Sequence, residues 1–127
     1  VLAYDVDAAQ GTLSNRRLWL RLDADDGVPD GMTTDAAGRI WIAHWGAGCV
    51  TCHDPASAAE LCRIALPASQ ITSCAFGGPT LQSLFITSAA GGLDADQRAA
   101  QPLAGALFCV EMDCTGLPAN RFGAATA

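Results

Sequence analysis

The sequence predicts an all-β chain, a partial β-propeller, on three observations. Strand-like runs recur at a spacing in the forties, and each period holds about four short strands separated by turn residues. Half of the 127 residues are hydrophobic, and the mean hydropathy is +0.24, high for a free-standing domain of this length. Four short strands in forty-odd residues are the mark of a propeller blade, a small sheet that buries its faces only against its neighbours. The excess of apolar residues then belongs to a core that further blades complete.

Taken in order, residues 1–27 read as outer strands of one blade, with Val1-Leu2-Ala3-Tyr4-Asp5 and Arg17-Leu18-Trp19-Leu20-Arg21-Leu22 as its strands. Residues 28–67 read as one complete blade. Its second strand, Ile40-Trp41-Ile42-Ala43, follows the turn Asp35-Ala36-Ala37-Gly38, and its outer strands are Val50 to Asp54 and Glu60 to Leu66. Residues 68–127 read as the last blade. There Leu84-Phe85-Ile86-Thr87 repeats Ile40 to Ala43 at an offset of 44, after the turn Gly77-Gly78-Pro79-Thr80. The run Gly105 to Glu111 repeats Gly48 to Asp54 at an offset of 57. An insertion between Ser88 and Ala104 explains the longer offset. Asp94 followed by Gln97 reads as a capping box, so a short helix is expected near residues 94–101, ended by Pro102. Two outer strands, one blade and three further strands are under half of a ring. The start at Val1, in mid-strand, leads us to expect a piece of something longer.

The charge pattern excludes several classes of function. The net charge is −6 and every basic residue is Arg, with no basic stripe, so nucleic acid is not an expected partner. No apolar run approaches the ~18 residues of a membrane helix. Six cysteines in so apolar a chain read as reduced thiols rather than a disulfide scaffold, which points to the cytoplasm.

One stretch, Cys49-Val50-Thr51-Cys52-His53, spells the C-x-x-C-H signature of c-type haem attachment. It lies in a predicted strand, where residues three apart face opposite sides of the sheet. Cys49 and Cys52 therefore do not share one haem edge, and no second pair at metal spacing supports zinc. No haem is expected. Asp23-Ala24-Asp25-Asp26-Gly27 has an EF-hand flavour, but its Gly is one place early and Thr34 stands where the bidentate Glu belongs. Ser73 lacks a nucleophile elbow and forms no credible triad with either His.

Val28-Pro29-Asp30-Gly31-Met32 and Asp35 to Ala43 (DAAGRIWIA) resemble the SMP-30/gluconolactonase/regucalcin family. So do Thr72 to Gly78 (TSCAFGG) and Gln101 to Phe108 (QPLAGALF). The resemblance runs from Val1 to about Phe122, including the Gly116-Leu117-Pro118 to Arg121-Phe122-Gly123 tail. It implies the C-terminal portion of a six-bladed propeller that holds one divalent cation (Ca, Zn, Mn or Mg) on its axis and hydrolyses sugar lactones. It also implies that the N-terminal half supplies the last blade's fourth strand and the remaining metal ligands, a Glu and two Asn, so the isolated chain is expected to be inactive.

Within that resemblance Asp30 is the implied metal ligand and the carboxylate that activates water. Read alone, Pro29-Asp30-Gly31 is an ordinary turn tripeptide. His44 and Trp45, expected in a loop after the second strand, are candidates for the pocket wall. Thr72 matches Asp30 in the next blade when Met32 is aligned with Cys74. The Ser88–Ala104 insertion could cover the site, and the Arg common in the family after Thr-Ser-Ala is Ala90 here. The alternative from another class is a non-catalytic calcium- or ligand-binding propeller, since a propeller fold does not fix chemistry.

Overall fold

The computed structural model describes residues 1–120; the tail expected at Arg121-Phe122-Gly123 lies outside them. Among the described residues nine strands form three antiparallel sheets in chain order. Strands β1 (Leu2–Asp7) and β2 (Thr12–Leu18) make a two-stranded ribbon. Strands β3 (Val28–Thr34), β4 (Ile40–Trp45), β5 (Cys49–His53) and β6 (Glu60–Ala65) make a four-stranded sheet. Strands β7 (Ile71–Gly77), β8 (Ser83–Ser88) and β9 (Leu107–Glu111) make a three-stranded sheet. Every connection within a sheet joins nearest neighbours, the up-and-down order of propeller blades.

The core lies between the second and third sheets. Trp41, Ala43, Val50 and Cys52 from one blade meet Ile71, Cys74, Leu84 and Ile86 from the next, all buried. Alternation explains the choice: on β4 the odd positions Trp41 and Ala43 face this seam, while Ile42 and His44 face the other side. Burying side chains such as Ile71, Leu84 and Ile86 stabilises the pair by about 1.5–3 kcal/mol each. The indole of Trp41 meets the Phe76 ring edge-on at 5.8 Å between centroids, a preferred aromatic geometry.

A carboxylate latch holds the turn between β3 and β4. Asp35 is buried, and its Oδ1 accepts from the backbone N–H groups of Ala37 and Arg39, both at 3.0 Å. Its Oδ2 accepts from Arg39 Nε at 2.7 Å and from Trp41 Nε1 at 3.0 Å. Gly38 completes the turn at φ +79°, where a side chain would be strained. The motif Asp-x-x-Gly-Arg-x-Trp therefore closes a hairpin and orients the core indole at once. Burial alone would raise the Asp35 carboxyl, but the bonds from Trp41 and Arg39 outweigh it and the group ends below its ordinary 3.8.

On the opposite face of the same sheet a polar chain is buried. His44 Nδ1 lies 2.7 Å from the carbonyl of Asp26 and its Nε2 2.6 Å from Thr51 Oγ1. His53 Nδ1 lies 2.9 Å from the carbonyl of Ala58 and its Nε2 2.8 Å from the same hydroxyl. Each Nδ1 donates to its carbonyl, and both Nε2 atoms face the single Thr51 hydroxyl. Trp19 closes this face, donating from Nε1 to Pro55 O at 2.8 Å and lying edge-on to His53.

The stretch Cys49–His53 is strand throughout, and its two thiols face different surroundings. Cys52 belongs to the seam, whereas Cys49 lies 3.5 Å from Arg63 Nη1. The acidic segment Ala24–Asp26 is a short 3-10 turn whose Asp26 pairs with Arg63 at 2.8 Å, so it is tied down at its end rather than free in solvent. Among the described residues no helix is long and apolar enough to cross a membrane.

Two outcomes follow for stability. Asp35 contributes fully above its unfolded-state pKa, and that contribution disappears as pH falls through the lower folded value. Acid titration followed by circular dichroism should show unfolding below about pH 4. Asp35→Asn should flatten that limb while lowering stability at neutral pH by about 3 kcal/mol. Thr51→Val removes the hydroxyl that both imidazoles face; it should cost about 1–3 kcal/mol in denaturant unfolding, and Thr51→Ser should restore most of it.

Candidate functional site

The innermost strands β3 and β7 carry the same irregularity. Pro29 pairs with His44 and Met32 with Ile42, so β3 holds one extra residue at Asp30-Gly31. Ile71 pairs with Ser88 and Ser73 with Thr87, so β7 holds one extra residue at Thr72. Met32 opposite Ile42 is thus equivalent to Cys74 opposite Ile86, and Asp30 and Thr72 fall on matching bulges. Bulges bend a strand and re-aim a side chain, and they concentrate beside active sites.

Gly31 fixes how closely the two strands approach. A Cβ at Gly31 would sit 2.7 Å from Ser73 Cα and overlap the Ser73 side chain. Only a residue without a side chain lets β3 lie against β7 there. Asp30 precedes this contact and is exposed. Among the described residues its carboxylate has no hydrogen bond or ion pair. Thr72 Oγ1 lies 2.6 Å from Thr87 Oγ1, giving a pair of exposed hydroxyls at the neighbouring bulge.

Several other groups collect at this end of the sheets. Trp45 ends β4 opposite Val28, is 36% exposed, and bridges to Gln70 just before β7. The Oε1 of Gln70 is buried without a partner among the described residues. The insertion after β8 returns to the same end: Ala89 donates to Gln70 O at 2.9 Å, and Ser69 N donates to Gln101 Oε1 at 2.7 Å. Its helix α1 (Ala95–Ala100) starts with a capping box in which Asp94 accepts from Gln97 N at 2.8 Å and Gln97 Oε1 accepts from Asp94 N at 3.0 Å.

The sequence candidates thus separate. Asp30, Trp45 and Thr72 lie at one end of the sheets. His44 does not sit in a loop: it is inside β4, fully buried, with both ring nitrogens engaged within the blade. The strand is longer than the apolar letters suggested because a polar residue can occupy its inward face when Thr51 and the Asp26 carbonyl pair with it. Thr87 and Gln70 were missed. A polar letter closing an apolar strand, as in Leu84-Phe85-Ile86-Thr87, was the available signal for the first; nothing in the sequence marked the second.

The donors at this end are a free carboxylate, hydroxyls and an amide oxygen, a hard set that suits Ca²⁺, Mg²⁺ or Mn²⁺. Among the described residues no three His, Cys, Asp or Glu side chains gather closely enough to hold an ion by themselves.

Blades stacked face to face, with bulged innermost strands converging at one end, define an all-β partial propeller. Residues 1–90 match the SMP-30/gluconolactonase/LRE-like region, and the chain belongs to that family. It is 44% identical over 119 residues to regucalcin of Danio rerio, covering 93% of this chain and 40% of that protein. It is 42% identical over 127 residues to pentonolactonase XacC of Haloferax volcanii, covering 95% and 43%. A crystal structure described as a calcium-binding protein, regucalcin, from Agrobacterium tumefaciens superposes with a TM-score of 0.83 at 32% identity, covering 91% of this chain and 39% of that one. The chain therefore spans about two fifths of the length of the relatives it matches.

Gly31→Ala should force β3 and β7 apart. We expect a loss of about 1–3 kcal/mol in thermal or denaturant unfolding, with Gly38→Ala losing stability through its positive φ instead and leaving the β3–β7 contact unchanged in a crystal structure.

Proposed function

We propose that this chain is the C-terminal portion of a six-bladed, divalent-metal-dependent sugar lactone hydrolase, with its site at the bulged ends of the innermost strands. The observation that carries the proposal is Asp30: a carboxylate without a partner among the described residues, on a bulge, in a family whose relatives include a pentonolactonase. A hydrogen-bonded carboxylate can still bind a cation, but it gives up some of its lone pairs to its partners. Among the described residues nothing engages the lone pairs of Asp30.

In this proposal Asp30 supplies one ligand to the cation and its second oxygen orients a water toward the lactone carbonyl, accepting the proton as the water attacks. The cation, when bound, polarises the carbonyl and lowers the pKa of water beside it. Thr72 and Thr87 present hydroxyls to the sugar's own hydroxyls, and the exposed flank of Trp45 offers an apolar wall to the ring. His44 acts behind the wall: its bonds to Thr51 and Asp26 hold the end of β4 against the start of β3. The insertion carrying α1 lies beside the mouth and limits water access. The other ligands, and the strand that completes the last sheet beyond β9, come from the N-terminal half of the propeller. The chain by itself is then inactive.

The non-catalytic alternative, a calcium- or ligand-binding propeller, rests on the regucalcin structure described as calcium-binding. Lactone hydrolysis by the intact protein separates the two. In the intact protein, Asp30→Asn should lower lactone hydrolysis by at least about a hundredfold and weaken divalent-cation binding, with an unchanged melting temperature in the absence of metal. Undetectable hydrolysis of aldonolactones by the unmodified protein, with cation binding intact, would instead establish the binding propeller.

A further inference from the structure

Away from the mouth, the outer half of the complete blade carries three thiols. Cys52 and Cys62 are direct antiparallel partners on β5 and β6. Such partners point to the same side of the sheet with Cα atoms about 4.5–5.5 Å apart. A disulfide needs Cα atoms about 4.4–6.8 Å apart. No other two of the six cysteines face each other in strand register. Cys62 is exposed and Cys52 buried, so an oxidant reaches one thiol while the other waits behind it. Both line a cavity of about 260 Å³ together with Arg39, Met112 and Cys114.

We propose that Cys52 and Cys62 form a redox modification site that closes to a cross-strand disulfide under hydroperoxides, with Cys62 as the thiol first oxidised. The Cys62 thiolate attacks the peroxide O–O bond; an S–O bond forms, the O–O bond breaks, and the departing hydroxide takes up a proton to leave as water. The Cys52 sulfur, having released its proton, then attacks the Cys62 sulfur. The S–S bond forms, the S–O bond breaks, and a second water leaves. Two thiols lose two electrons and one hydrogen peroxide becomes two waters. Burial, then the neighbouring Cys62, push the Cys52 thiol up to about 12, so this closing step speeds up as pH rises. Closure staples the outer strand β6 to β5 beside the seam. The same register places the two residues opposite each other in every molecule that has folded this blade.

Peptide mapping of the intact protein, alkylated under denaturing conditions before and after hydrogen peroxide, tests the site. The expected result is loss of two hydrogens and a linked peptide pair containing Cys52 and Cys62, reversed by dithiothreitol. Cys62→Ser should abolish the link and leave Cys52 open to alkylation, whereas Cys114→Ser should leave the link in place. The proposal is overturned if Cys62 links to Cys114, if it proceeds to sulfinic acid while Cys52 stays alkylatable, or if peroxide leaves both thiols unchanged.

Discussion

The close approach of β3 to β7 at Gly31 and Ser73 is the constraint on which the rest of the molecule depends. A blade has two faces and too few residues to bury either alone, so it is stable only when its neighbour lies close. Here the distance between neighbours is set by backbone against side chain at Gly31. That distance brings the Trp41 indole onto Phe76 and packs Ile71, Leu84 and Ile86 against Val50 and Cys52. The two bulges flank the same contact, so one steric fact governs both the seam and the spacing of the candidate ligands. An error there would propagate to both.

The Asp35 latch serves this contact at a distance. Its bond to Trp41 Nε1 fixes the indole in the seam, and its bonds to the Ala37 and Arg39 amides fix the turn that returns β4 alongside β3. The equivalent turn in the next blade, Gly77 to Thr80, has no such carboxylate. There Gly116 takes over, donating to Leu81 O at 2.8 Å and lying so close to Phe76 that no side chain fits. A bridge from Asp35 to Gly116 links the two turns across the seam. One blade uses a charged latch and the other a strand-like crossing segment, and the same seam results.

The fold class was legible because it rests on repetition: offsets of 44 and 57 between matching strands show through any single substitution. The capping box at Asp94 was legible because both of its bonds join neighbours in sequence. At the candidate site, the sequence pointed only to the position where a strand's start coincided with a family motif, Asp30, and its role stands as a proposal. His44 was misplaced because its burial depends on Thr51 across the strand and on the Asp26 carbonyl, and neither distance can be read from one segment. Thr87 escaped for the same reason, since its partner Thr72 is fifteen residues away and the pair meets only through the β7–β8 register.

The candidate mouth also shows how a propeller divides the tasks of stability and chemistry. Buried polar groups in the blade interior are paired within the blade: Asp35 with four donors, His44 with the carbonyl of Asp26 and His53 with that of Ala58. Two groups at the bulged end are not. Asp30 has no partner among the described residues, and Gln70 Oε1 is buried without a donor. Unpaired acceptors are tolerated where desolvation is incomplete or where a ligand supplies the missing donor or cation, and they cost about 1–3 kcal/mol each when neither holds. A carboxylate that stays solvent-exposed while the backbone beneath it is locked by Gly31 pays no such penalty, and in the proposed site it would lose little conformational freedom on meeting a cation. That combination, a fixed backbone under a free charge, is what the proposed cation site would require.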